Sequence, residues 1–70
     1  MKNDVIKAEI KRVCSVREMS KKLFFACTSS LYDRLNGDTD WKVTELITLS
    51  RICNWTVEQF LDIIEYKEEQ

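Results

Sequence analysis

The sequence has no histidine, no proline and a single glycine among its 70 residues. A many-stranded sheet needs more turn residues than this, so the 44% hydrophobic content favours helices joined by short turns. Without histidine there is no imidazole to activate a serine or cysteine nucleophile, and no glycine-rich phosphate loop occurs. These absences disfavour an enzyme and predict a protein that needs no cofactor.

Cysteine is sparse, and long apolar runs are missing. Cys14, Cys27 and Cys53 lie far apart and form no C-x-x-C pair, so we expect no structural zinc site. An odd number of cysteines without a secretory signal predicts reduced thiols in the cytoplasm, each packed as a small hydrophobic side chain. No apolar run approaches the ~20 residues of a membrane span, so no membrane association is expected.

Charge is divided unevenly along the chain, although the net charge is only −1. Residues 1–37 contain eight basic and four acidic side chains, whereas residues 38–70 contain three basic and eight acidic ones. The first part therefore carries +4 and the second part −5. A polyanion such as nucleic acid is attracted to the first part and repelled by the second.

Hydrophobic periodicity predicts five helices, at about residues 5–13, 16–24, 28–36, 43–53 and 57–66. Asn3 or Asp4 is expected to cap the first helix, and Ser15 with Glu18 forms a capping box for the second. Cys27 or Thr28 is expected to cap the third, which the Asn36-Gly37 pair ends. The fourth helix is predicted to end at Asn54 and the fifth to be capped by Thr56.

The apolar positions of these helices predict a shared core. The side chains expected to face inward are Ile6, Ile10, Val13, Val16, Met19, Leu23, Leu31, Leu35, Val43, Leu46, Ile47, Ile52, Val57, Phe60, Leu61 and Ile64, with Leu49 at the flank of its helix. Trp41 and Trp55 flank the fourth helix and are expected to pack against this core. At least one of Phe24 and Phe25 is expected to pack inward as well.

Two short helices separated by a tight turn form a helix-turn-helix when the second is apolar on one side and carries small polar residues on the other. Residues 15–20 (SVREMS) and 27–37 (CTSSLYDRLNG) resemble the second helix and the recognition helix of the xenobiotic-response-element family, which includes phage Cro and repressor proteins. Residues 42–61 are similar to the last two helices of that family. The resemblance covers about residues 5–64 and implies a compact all-α, five-helix lambda-repressor-like domain that binds double-stranded DNA.

The sequence departs from the family pattern at three places. Val16 stands where the family commonly has a glutamine that contacts a phosphate, and Asp33 stands where a neutral or basic residue is common. The turn, which contains Phe24, Phe25 and Ala26, is one residue longer than usual and lacks the turn glycine.

The resemblance also implies which residues contact DNA. The recognition helix of such a domain lies in the major groove, which implies base contacts from Thr28, Ser29, Tyr32 and Asp33. The implied phosphate contacts are Arg17, Lys21, Ser30, Arg34, Asn36 and Lys42. Alternative roles are helix capping for the hydroxyl residues, a surface salt bridge for Asp33 and simple solvation for the cations.

The resemblance also implies the activity, that of a transcriptional regulator and by default a repressor of phage or mobile-element type. Family members commonly bind as twofold dimers, so a homodimer is expected. The fifth helix is the expected interface, through Phe60, Ile63, Ile64 and Tyr66, although these residues can equally pack in the core. The main alternative is a protein-interaction module on the same fold, such as an antirepressor or antitoxin. Asp33 and the acidic second half favour that alternative.

Overall fold

The computed structural model describes residues 1–66, and these form five α-helices without a strand. The helices are α1 (Asn3–Val13), α2 (Val16–Lys22), α3 (Thr28–Leu35), α4 (Val43–Ile52) and α5 (Val57–Ile63). The predicted all-α class and the order of five helices are therefore confirmed. The bounds differ from the prediction mainly at α1, which begins two residues earlier, at α2, which ends two residues earlier, and at α5, which ends three residues earlier.

The predicted capping hydrogen bonds form at α2 and α5 but not at α1 or at α3, where Cys27 occupies the N-cap position without a side-chain capping bond. The Ser15 hydroxyl accepts a hydrogen bond from the Glu18 amide (3.1 Å), and Thr56 and Gln59 form a reciprocal capping box on α5. The expectation of an Asn3 or Asp4 cap for α1 was wrong, because both residues lie inside the helix and Lys2 precedes it. Asn3 instead uses its side-chain oxygen to accept a hydrogen bond from the Trp41 indole (3.1 Å).

The four helices α2 to α5 end in the same way. Each is followed by a residue in the left-handed conformation, and the next amide reaches back to a carbonyl five residues earlier: Phe25 to Ser20, Asp38 to Asp33, Trp55 to Ser50 and Tyr66 to Leu61. The left-handed residues are Phe24, Gly37, Asn54 and Glu65. This is the Schellman motif. The predicted stops at Asn36-Gly37 and Asn54 are confirmed.

The core lies between all five helices. Its buried side chains are Ile6, Ile10, Val16, Met19, Leu23, Leu31, Leu35, Leu46, Leu49, Cys53 and Ile63. The half-buried Val13, Cys14, Phe25, Trp41, Ile52, Trp55, Phe60 and Ile64 pack against them. Within the described residues, no helix is both long and apolar enough to cross a bilayer.

The inward faces of α4 and α5 differ from the prediction. Leu49 is fully buried and shares the core with Leu46, whereas Val43 and Ile47 are exposed. On α5, Val57 and Leu61 are exposed, and the buried residue is Ile63. The apolar residues of each helix are spread over more than one side, so they cannot all face the core, and tertiary packing selects which of them are buried.

Residues in and just before α1 form hydrogen bonds with the C-terminal part of the chain. Glu9 accepts hydrogen bonds from Arg12 (3.0 Å) and from the Trp55 indole (3.0 Å), and Arg12 also donates to the Cys53 carbonyl (3.1 Å). The backbone amide of Lys2 donates to the Ile63 carbonyl at the end of α5 (2.8 Å). Trp55 and Trp41 both pack against the core, as predicted.

The three cysteines are unbonded, but they do not share one environment. Cys53 is buried, as expected, and burial raises the pKa of its thiol. Cys14 is half-buried. The expectation of a buried Cys27 was wrong: this residue is exposed at the start of α3, since its side chain points away from the core at the N-cap position.

Candidate nucleic-acid interface

The α2–α3 unit, residues 16–35, consists of two short helices joined by residues 23–27. Leu23, the first residue of this turn, and Leu31, within α3, are both buried in the core. The Schellman motif after α2 places Phe24 in the left-handed conformation (φ 62°) and directs Phe25 back toward the core. The extra turn residue noted in the sequence is thus accommodated without opening the pair of helices.

Helix α3 has one buried side and one polar side. Leu31 and Leu35, four residues apart, face the core. At 100° per residue, Ser29 and Asp33 point almost directly away from these leucines, and Tyr32 lies on one flank. All three are exposed, whereas Thr28 is half-buried. Of the four predicted base-contact residues, three therefore lie on the outer surface, whereas Thr28, three residues before Leu31, lies on the side that faces the core.

The first turn of α3 is organised around the Cys27 thiol. Its sulfur lies 2.9 Å from the Ser29 hydroxyl and 3.6 Å from the Ser30 hydroxyl. These hydrogen bonds, the one to Ser29 first, lower the pKa of the Cys27 thiol to about 7. Neither serine hydroxyl caps the helix by accepting from a backbone amide, so the capping alternative is not what the structure shows for them.

Four of the predicted phosphate-contact residues are exposed: Arg17, Lys21, Asn36 and Lys42. Arg17 and Lys21 stand four residues apart and therefore share one side of α2. Within residues 1–66, the ion pairs closer than 4.0 Å involve other cations, so the charges of Arg17, Lys21 and Lys42 face solvent. Ser30 is half-buried, and its carbonyl accepts a hydrogen bond from Arg34 (2.8 Å).

Arg34 does not occupy the position predicted for a phosphate contact. Its Nε donates to Glu45 Oε1 at 2.8 Å, its guanidinium carbon lies 4.4 Å from the centre of the Phe25 ring, and its side chain is only 12% exposed. The same Glu45 oxygen accepts from the Lys42 backbone amide (2.9 Å). Arg34 is therefore a structural link between α3 and the start of α4, which sequence reasoning missed.

The predicted dimer residues fall in different environments. Ile63 is 3% exposed and belongs to the core, so it is not available for a subunit contact. Phe60 and Ile64 are half-buried, and Tyr66, just beyond α5, is exposed. The exposed apolar side chains of α5 are instead Val57 and Leu61, which the sequence had placed inside.

Comparisons with known proteins leave the function to be argued from this geometry. In the part of the chain that the structure describes, no group of three or more histidine, cysteine or acidic side chains is placed to hold a metal ion. No protein-family model, curated protein or solved structure matches this chain.

Proposed function

We propose that this chain is a sequence-specific, double-stranded DNA-binding transcriptional regulator that works in the cytoplasm without catalysis. By default it is a repressor of phage or mobile-element type. One observation carries the proposal: the outward side of α3 is polar and exposed, and it lies in the same two-helix unit as the exposed cations of α2. This arrangement suits a helix that enters the major groove beside a helix that crosses the backbone.

In the proposed complex, the N-terminal part of α3 lies in the major groove. Ser29 can donate to or accept from a base edge, Asp33 can accept from the amino group of cytosine, and Tyr32 lies on the flank of the same surface. Thr28, half-buried at the start of α3, offers its methyl group to thymine from the end of the helix. Hydroxyls and one carboxylate discriminate modestly, so phosphate contacts must supply much of the affinity.

Arg17, Lys21 and Lys42 are the phosphate-contact residues that the structure leaves available, with Asn36 as a neutral donor. Replacing Arg17 or Lys21 with alanine is expected to weaken binding to all duplex sequences alike and to reduce the slope of log K against log salt by about 1. Arg51→Ala is the control, because Arg51 is an exposed arginine on α4, outside the α2–α3 unit. The measurement is duplex binding by fluorescence anisotropy at several salt concentrations.

Salt-independent binding, or no duplex binding by the wild-type chain, would contradict the proposal. That result would favour the alternative, a protein-interaction module of antirepressor or antitoxin type. Two features support the alternative: the acidic charge of residues 38–70 and the exposed Val57 and Leu61 on α5. Asp33 on the outward side of α3 also fits a protein partner better than it fits a phosphate backbone.

A homodimer through α5 is part of the proposal, because two half-sites one helical turn apart require two recognition helices. With Ile63 in the core, the interface is reassigned to Leu61 and Tyr66, with the half-buried Phe60 and Ile64 beside them. Sedimentation at micromolar concentration is expected to show a dimer that Leu61→Lys disrupts. A monomer both with and without duplex DNA would reject this part of the proposal.

A further inference from the structure

Phe24, in the turn between α2 and α3, has a large apolar side chain that does not pack against the core. Its side chain is 91% exposed, and its backbone lies in the left-handed region with φ 62°. A ring that stays in water gains nothing from burial when the chain folds, and the left-handed region is unfavourable for a residue with a Cβ, least so for asparagine and aspartate. In the isolated domain, Phe24 therefore carries a conformational cost that no burial of its ring offsets.

The same backbone position after other helices shows that phenylalanine is not needed for the turn. Gly37 follows α3, Asn54 follows α4 and Glu65 follows α5, each in a Schellman motif with the same pattern of backbone hydrogen bonds. Glycine and asparagine tolerate the left-handed conformation, and none of the three residues is aromatic. The neighbouring Phe25 serves the fold by packing against the core and under Arg34, so the two aromatic residues have different roles.

The residues around Phe24 are basic or begin α3. Lys21 and Lys22 are exposed on the last turn of α2, and the Phe24 amide is bonded to the Lys21 carbonyl. Thr28 begins α3 four residues later, which places the two Cα atoms within about 14 Å of each other. An aromatic ring beside exposed cations and near the start of α3 suits a partner that carries both negative charge and apolar groups. Duplex DNA is such a partner.

We infer that Phe24 is an additional DNA-contact residue, which rests its ring on an apolar part of the groove beside the bases that α3 faces. Two parts of the duplex offer this chemistry, the thymine methyl group and the carbon atoms of deoxyribose. The inference rests on the proposed function. It explains why the turn carries an exposed and conformationally costly side chain where glycine would fold more easily.

The test compares Phe24→Gly with Asn54→Gly, which introduces glycine at the equivalent left-handed position after α4. Binding is measured by anisotropy on a duplex selected by the wild-type chain. Phe24→Gly is expected to raise the melting temperature yet to weaken binding about tenfold, as the loss of one apolar contact predicts, with an unchanged salt slope. Asn54→Gly is expected to leave affinity unchanged. Phe24→Asn provides a second variant that keeps a left-handed residue without the ring.

Two arms of the experiment distinguish the sources of the contact. Replacing thymine by uracil at positions beside the core site is expected to weaken wild-type binding but not Phe24→Gly binding if a methyl group is contacted. If deoxyribose is contacted, the replacement changes neither, and the difference between wild type and Phe24→Gly remains. Equal affinity of wild type, Phe24→Gly and Phe24→Asn would overturn the inference and leave the proposed function standing. Absence of wild-type duplex binding would overturn both.

Discussion

Replacing Arg34 with alanine is expected to lower the free energy of unfolding by about 3 kcal/mol. The guanidinium lies between Glu45, the Ser30 carbonyl and the Phe25 ring, and both members of the Arg34–Glu45 pair are 12% exposed. Its removal leaves the Glu45 carboxylate largely buried without its cation. For a domain of this size, such a loss lowers the melting temperature by at least about 10 °C. Thermal unfolding followed by circular dichroism measures it.

Arg17→Ala is the matched control, because Arg17 is an exposed arginine that forms no ion pair with another residue of 1–66, and its replacement is expected to change stability by less than about 0.5 kcal/mol. Equal melting temperatures for the two variants would mean that the Arg34–Glu45 pair does not stabilise the fold. Arg34→Ala is also expected to weaken DNA binding only as far as it unfolds the domain, since the guanidinium faces α4.

The same pair predicts how stability changes in acid. Burial disfavours the charged form of Glu45, but hydrogen bonds from Arg34 and from the Lys42 amide outweigh it, so the pKa of this carboxyl lies below its ordinary value of 4.5. A lowered pKa in the folded state means that the charged form stabilises the fold above about pH 4.5, and that this stabilisation is lost as pH falls through the folded-state pKa. Arg34→Ala is therefore expected to show a shallower decline over that range than wild type.

Leu49→Ala is expected to cost about 2–5 kcal/mol, because Leu49 is completely buried and its truncation leaves a cavity. Total stability for a domain of this length is about 4–10 kcal/mol, so the variant loses a large part of it. Urea unfolding measures the difference. The expected reason is lost packing, which leaves the slope of the denaturation curve unchanged.

Ile47→Ala is the control for the orientation of α4. The sequence placed Ile47 inside and Leu49 at the flank, whereas the structure leaves Ile47 40% exposed. Its truncation is expected to cost less than about 1 kcal/mol. A larger loss from Ile47→Ala than from Leu49→Ala would show that α4 packs in the orientation that the sequence suggested.

The features that sequence alone predicted are local ones. Ser15 and Thr56 cap helices and Gly37 and Asn54 end them through contacts within a few residues, so their signals are complete in a short window. The inward residues of α1, α2 and α3 also follow a regular helical period. The all-α class and the positions of five helices follow from these signals.

The features that sequence missed depend on contacts between helices. Arg34 and Glu45 are separated by eleven positions, and nothing in either residue's neighbours distinguishes a paired charge from a solvated one. Ile63 and Leu49 are buried because of how α5 and α4 meet the rest of the core, a choice among several apolar residues on each helix. On the candidate interface, sequence identified exposed residues such as Ser29 and Lys21 but included Arg34, whose role is set by tertiary structure.

Selection of bound sequences from a random duplex library, carried out in parallel with the wild-type chain and Ser29→Ala, tests the central claim that the outward side of α3 reads the major groove. The wild type is expected to enrich a defined site with two half-sites about one helical turn apart. Ser29→Ala is expected to bind the same site with altered preference at one base pair in each half. No enrichment by the wild type, or an identical preference in both selections, would contradict it.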